Sequence, residues 1–232
     1  MDQPARTSEE LREFYSLFKP GNLFILHQRE RAVLKCLRRA GVDHASIAAM
    51  RVLEVGCGSG GLLPGLITYG ANPTLLTGLD VDFPRLAYAR ARFPVIRFIR
   101  GDATALPIKT AAYDMVIQST LFTSLLRPLA RRLAAAEMRR ALRPGGFILW
   151  FDFRYNNPRN QRVRAVTRSE IEQDLFPGAR ASFLRTVLLP PLARRLVPLS
   201  RLVAEGLSLL PPLLTHYCAL IWPSRNDRSA NG

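Results

Sequence analysis

Four glycines and three acids carry the legible chemistry of this chain. The run Val52-Leu53-Glu54-Val55-Gly56-Cys57-Gly58-Ser59-Gly60-Gly61 leads an apolar segment through an acidic residue into glycines, which let a ligand come against bare backbone. Gly56, Gly58 and Gly61 also satisfy the spacing that serves dinucleotides, so spacing alone leaves the ligand open. Asp80 stands about 20 residues further on, where an acid can bond both hydroxyls of a ribose. Glu54 puts a carboxylate where a pyrophosphate would be repelled and an ammonium attracted. Asp102, in Gly101-Asp102-Ala103, can accept from an adenine amino group. The set favours a cationic nucleoside ligand without phosphate. Cys57 reads as a small residue suited to a tight turn, not as a nucleophile.

Strands and helices must hold these residues level. Thr7 and Glu10 have capping-box spacing ahead of Leu11, Phe14, Tyr15 and Phe18, which predicts a short first helix. Pro20-Gly21-Asn22 is expected to break it before a second helix, Leu23 to Arg39. The chain then alternates: strand 51–55, helix 62–69, strand 74–79, helix 84–92, strand 95–100, strand 113–118 and helix 128–142. A Pro144-Gly145-Gly146 turn and a strand 147–153 follow. Five βα units of this kind make a doubly wound α/β sheet with ligands outside the carboxyl ends of its strands. Beyond it, Ser169 and Glu172 predict a capped short helix, Pro177-Gly178 a turn, and 181–189 and 214–222 two more strands. The Arg-, Leu- and Pro-rich insertion between those strands, 190–212, predicts one or two short helices. Pro-Leu-Ala-Arg-Arg-Leu occurs at 128–133 and again at 191–196, read as two helix starts with proline in the first turn. The tail from Ser224 is polar and expected to be disordered.

With 232 residues, nearly half of them apolar, the chain is read as a single domain, 1–232. Its net charge of +15 rests almost wholly on arginine, since Lys19, Lys35 and Lys109 are the only lysines. Spread along the whole chain, that charge reads as solvated helix faces rather than a polyanion groove, and nucleic acid is not the expected partner. Cys36, Cys57 and Cys218 have neither disulfide nor metal spacing, so no metal is expected and a reducing compartment fits. The start lacks a secretory pattern. The apolar stretch 207–222 is broken by Pro211-Pro212 and is shorter than the ~20 residues of a membrane span. A cytoplasmic protein is expected, with peripheral contact at the inner membrane face left open.

Together, 52–61, Leu79-Asp80-Val81, Gly101-Asp102-Ala103, Tyr113-Asp114-Met115-Val116-Ile117 and Leu142-Arg143-Pro144-Gly145-Gly146 resemble, in order and spacing, the class I S-adenosylmethionine-dependent methyltransferases. That resemblance implies a Rossmann-like sheet of seven strands, mostly parallel with an antiparallel last strand and helices on both faces. It also implies S-adenosylmethionine as cofactor and S-adenosylhomocysteine as product. Glu54 and the backbone of Gly56, Cys57, Gly58 and Gly60 would hold the methionine end. Asp80 would bind the ribose and Val81 would pack on the adenine, with Asp102 and the Ala103 amide reading its edge. The backbone at Gln118 and Ser119 would face the methionine part, with Tyr15 or Phe18 as a cap.

An activated methyl needs an acceptor placed in line and dry, with a base if the acceptor is a hydroxyl. Asp152 and His216 are the candidate catalytic residues, with Tyr155, Asn156 and His27 as further candidates for acceptor contact. Gln118-Ser119-Thr120-Leu121-Phe122 stands where amino-directed nucleic-acid methyltransferases carry Asn/Asp-Pro-Pro-Tyr/Phe, which argues against base amino groups. The segment 152–222 looks like the tail of bacterial methyltransferases of polysaccharide assembly. The expected reaction is methyl transfer to a hydroxyl of a small-molecule or glycan acceptor, a lipid-linked one included. The competing readings are a membrane-peripheral quinone or lipid methyltransferase, an RNA methyltransferase and a non-catalytic cofactor-binding module. Oligomeric state is left open.

Overall fold

A computed structural model describes residues 10, 13–156, 160 and 162–224. The chain divides into two compact units. One takes the chain up to Leu34 with Arg185–Thr215, the other Lys35–Leu184 with the chain from His216 on.

The elements in chain order are helix α1 (Pro20–Arg39), α2 (His44–Ala49), strand β1 (Val52–Val55), α3 (Leu63–Thr68), β2 (Leu76–Asp80), α4 (Phe83–Arg92), β3 (Arg97–Arg100), β4 (Tyr113–Ser119), α5 (Pro128–Ala141), β5 (Leu142–Phe153), β6 (Arg180–Leu188), α6 (Pro190–Leu196), α7 (Arg201–Leu207) and β7 (Leu214–Trp222). Seven strands form one sheet in the order β3-β2-β1-β4-β5-β7-β6. β1 pairs in parallel with β2 and β4, β2 with β3, and β4 with β5, while β7 runs antiparallel to β5. The α/β expectation, a mostly parallel seven-stranded sheet with an antiparallel last strand, is met.

Both faces of this sheet are covered. On one, Ala134, Ala135 and Met138 of α5 pack with Val55, Val116, Trp150, Ala219 and Ile221. Successive strand residues face opposite ways, so Cys218, next to Ala219, faces the other side. There its thiol meets that of Cys36 from α1, both buried and both free thiols.

Several boundaries differ from expectation for local reasons. α1 begins at Pro20, three residues before the expected Leu23, because proline suits a first helical turn. β2 starts at Leu76 because Pro73–Leu75 form a single 3-10 turn capped by Asn72. Arg143 to Gly146 form a bulge inside β5: Tyr113 pairs with Leu142 and Met115 already with Phe147. Glu170–Leu175 form a π-helical turn without the expected side-chain cap, Ser169 Oγ donating to Gln173 instead. Both copies of Pro-Leu-Ala-Arg-Arg-Leu do lie at helix starts. The capping box at Thr7 and the tail beyond Ser224 lie outside the described residues.

The unit containing α6 and α7 has its own small core of Phe24, Leu188, Ala193 and Ala204. Gln28 ties it, accepting from the Leu188 amide and donating to Ser208 Oγ. Arg194 of α6 donates to Asn22 Oδ1, and its guanidinium lies 4.4 Å above the Phe14 ring. A side chain at Gly21 would run into the backbone of Arg194.

Candidate functional site

The parallel register brings the predicted residues to one edge of the sheet. Val55 is level with Leu79 and Gln118, Asp80 with Arg100, and Ser119 with Phe151. Gly101-Asp102, Asp80, Gly56 and Ser119 therefore follow the ends of four neighbouring strands, the crevice where open α/β sheets bind ligands.

The glycine loop is built from its own strand. The amides of Gly56 and Cys57 both donate to Leu79 O, at 2.7 and 3.0 Å. Glu54 is wholly buried, and its carboxylate accepts from the amides of Leu62 (2.8 Å) and Leu63 (3.2 Å) at the start of α3. Such charged caps favour helix N-termini, where amides lack intrahelical partners. Gly61 has φ +54, and a Cβ there would fall on the Glu54 carboxylate. The last glycine of the run thus exists to let Glu54 through. Sequence reasoning gave Glu54 only a ligand's ammonium; the structure gives it the loop itself.

Asp80 accepts from the Gly58 amide through Oδ2 (2.7 Å) and from the Asp82 amide through Oδ1 (2.9 Å). Val81 beside it is 63% exposed, open to pack on a ring. Asp102 takes the amide and hydroxyl of Thr104 on Oδ1 alone (2.7 and 2.8 Å), which holds its carboxyl below the usual range. Oδ2 is then the oxygen that could meet an amino group. Ala103 is half-buried against the core. Cys57 points inward, where a side chain at Gly78 would meet its sulfur. Burial, then the neighbouring charges of Glu54 and Asp80, push its thiol well above the usual value, so only its backbone is available to a ligand.

At the end of β4, Gln118 is completely buried. Its Oε1 accepts from the Leu121 amide at 3.1 Å, and its Nε2 has no partner among the described residues. Such an orphaned donor marks a place for a ligand atom or water. Next to Ser119, Thr120 has φ +58, a strained conformation for a β-branched residue.

Asp152 and His216 are not brought together. Asp152 is level with Tyr217 and Phe153 with His216, so their side chains leave the sheet on opposite faces. Asp152 is 1% exposed; it accepts from the Thr123 amide (3.2 Å) and the Phe153 amide (2.8 Å). Burial pushes its carboxyl up to about 6, against the hydrogen bonds from Thr123 and Phe153. His216 lies against Phe151 and Phe153, with ring centroids 4.8 and 3.9 Å away. Asn156 accepts from the Ala165 amide, and Tyr155 lies under Arg154. Tyr15, Phe18 and His27 belong to the other unit.

Arg131 was missed. It is fully buried, and its guanidinium donates to Leu125 O (2.7 Å), Arg164 O (2.6 Å), Ala165 O (3.3 Å) and the Glu170 carboxylate (2.8 Å). It binds the segment after β4 to the loop after β5. The signal was helical phase: positions 131, 134, 135 and 138 share one face, and the other three are Ala, Ala and Met.

Residues 52–146 match the family described as a methyltransferase domain. A phthiotriol/phenolphthiotriol dimycocerosates methyltransferase of Mycobacterium ulcerans is 37% identical over 145 residues, 58% of this chain and 52% of that protein. A fatty-acid O-methyltransferase of Mycolicibacterium smegmatis is 34% identical over 125 residues, 52% of this chain and 44% of that protein. The chain spans about half the length of the curated relatives it matches. Among solved structures, an S-adenosylmethionine-dependent methyltransferase of Mesorhizobium loti superposes with a TM-score of 0.58 at 19% identity, covering 82% of this chain and 97% of that one.

Proposed function

We propose that this chain, whose residues 52–146 match a methyltransferase domain, is a class I S-adenosylmethionine-dependent methyltransferase and that it methylates an oxygen atom of a lipid-like acceptor. The observation that carries the acceptor is the pair of relatives named for a dimycocerosate lipid and a fatty acid. This keeps the hydroxyl expected from sequence, adds a carboxyl oxygen as acceptor atom, and takes the competing lipid reading over the glycan. Such an acceptor would place the reaction in the cytoplasm near the inner membrane face.

The orphaned Gln118 Nε2 and the row of acids support the cofactor's fit. Asp80 would hold the ribose hydroxyls, with Val81 on the adenine. Asp102 Oδ2 and the Ala103 amide would read the adenine edge, and the backbone of Gly56, Cys57, Gly58 and Gly60 would line the methionine end. Gln118 and Ser119 would complete that end, Gln118 Nε2 donating to the ligand's carboxylate. When bound, S-adenosylmethionine supplies a methyl already activated by its sulfonium. The chain's own work is then to hold the acceptor oxygen in line and exclude water. We give Asp152 and His216 positioning roles: Asp152 holds the turn after β4 through the Thr123 amide, and His216 packs the far face of β5.

The test is transfer of labelled methyl from S-adenosylmethionine to long-chain fatty acids and long-chain diols in mixed micelles, beside calorimetry with S-adenosylhomocysteine. Label in the lipid fraction is expected. Cofactor binding without label in any lipid, carbohydrate or RNA fraction would leave a non-catalytic cofactor-binding module instead.

A further inference from the structure

Folding explains only one face of α7. Ala204 is buried with Phe24, Leu188 and Ala193, and Leu207 packs against the same cluster. The opposite side of a short surface helix is ordinarily polar. Here Leu202 and Leu209 are 85% and 80% exposed, and Leu199, just before the helix, is 82% exposed. Leu202 lies on α7, Leu199 before its Ser200 cap and Leu209 in the turn that follows it. Val203 on α7 and Leu210 after the turn are also exposed. Five large apolar side chains exposed within twelve residues are more than folding asks for, and such clustering marks a contact site.

Charge selects what makes the contact. Between Arg185 and Thr215 stand Arg185, Arg194, Arg195 and Arg201 against one acid, Glu205. Glu205 is flanked by Arg31 at 3.4 Å and Arg201 at 3.6 Å, so the segment that carries these leucines is net positive. A second copy of this chain would oppose arginine with arginine across a two-fold contact. An anionic bilayer matches both properties, headgroup phosphates for the arginines and acyl chains for the leucines. Among the described residues no helix is long and apolar enough to cross a membrane, and a helix the length of α7 fits the plane of the interface.

We propose that α7 and its flanking turns, through Leu199, Leu202, Val203, Leu209 and Leu210 with Arg195 and Arg201 of the same segment, are a docking surface that inserts into the headgroup layer of an anionic membrane. This site concerns where the protein sits, and it stands whether or not the acceptor is a lipid.

Flotation of the full chain with phosphatidylglycerol/phosphatidylcholine vesicles tests it, against phosphatidylcholine alone. Binding to the mixed vesicles is expected, with at least about tenfold weaker partition for the Leu202→Glu/Leu209→Glu variant. Calorimetry with S-adenosylhomocysteine reports that this variant is folded. Methyl transfer to a water-soluble short-chain fatty acid separates the two proposals, because it needs no bilayer. Absence of binding to anionic vesicles overturns the docking surface, as does wild-type binding by a folded variant. Dimerisation in sedimentation velocity that the variant abolishes, without vesicle binding, assigns the patch to a second copy and overturns it too.

Discussion

The carboxylate of Glu54 occupies the space that a side chain at Gly61 would need. One residue can therefore be changed only at the expense of the other. Gly61→Ala must either displace Glu54 from the Leu62 and Leu63 amides or distort a backbone already at φ +54. A cost of roughly 3 kcal/mol is expected in urea unfolding, where a buried charge loses its hydrogen bonds and an L-residue takes a left-handed conformation. Gly65, inside α3 with open space around its Cβ position, is the control: Gly65→Ala should gain about 0.5–1 kcal/mol. Equal costs at 61 and 65 would refute the arrangement.

Asp80 and Asp102 should differ in what their loss does. Asp80→Ala would remove the proposed ribose contact and free the Gly58 amide as well, so S-adenosylhomocysteine affinity should fall by roughly 10- to 100-fold, the worth of charge-assisted bonds. Asp102→Ala should cost less, because its carboxylate is exposed and already shared with Thr104. Calorimetry on the two variants decides, and unchanged affinity in both would remove the ribose and adenine assignments.

The buried carboxyl of Asp152 gives stability a pH signature. Its acidity is weakened by burial, from an ordinary value near 3.8 up to about 6. Between those values the folded chain keeps a proton that the unfolded chain releases, so stability falls as pH rises through the window and levels off above it. The loss amounts to about 3 kcal/mol at 1.36 kcal/mol per unit. Unfolding at pH 4.5 and 7 should show this slope in the wild type and lack it in Asp152→Asn. A slope that survives the substitution would place its origin in another group.

Arg131→Leu should be among the most damaging single changes. It takes from Glu170 the buried one of its two arginine partners, leaving Arg164, and leaves the carbonyls of Leu125, Arg164 and Ala165 without this donor. Breaking a buried pair from one side costs about 3–5 kcal/mol. The neighbouring Arg132 is exposed, and Arg132→Leu should leave the denaturation midpoint within about 0.5 kcal/mol of wild type.

The level row of strand ends was legible because strand ends, glycines and acids follow one another in fixed order. Asp80 and Asp102 needed only a parallel sheet to stand level, and alternation of strands and helices predicts one. What lay hidden depends on partners far away in sequence. Arg131 and Arg132 are identical in composition, yet one is buried and one solvated, and only helical phase separates them. Asp152 and His216 both looked like acceptor-side groups, but the pairing of β5 with β7 puts them on opposite faces. β5 is buried on both faces, so no apolar-polar alternation marked which way Asp152 points. Cys36 and Cys218 meet across a distance that spacing could not foresee.

The level row of strand ends also predicts where the chain tolerates insertion. One extra residue inside β1, β2 or β4 would lift everything beyond it by about 3.3 Å and turn alternate side chains to the wrong face. A longer turn between α3 and β2, or between α4 and β3, would leave the row untouched. Length differences among working versions of this chain should therefore gather at the amino ends of the strands, leaving their carboxyl ends fixed in count.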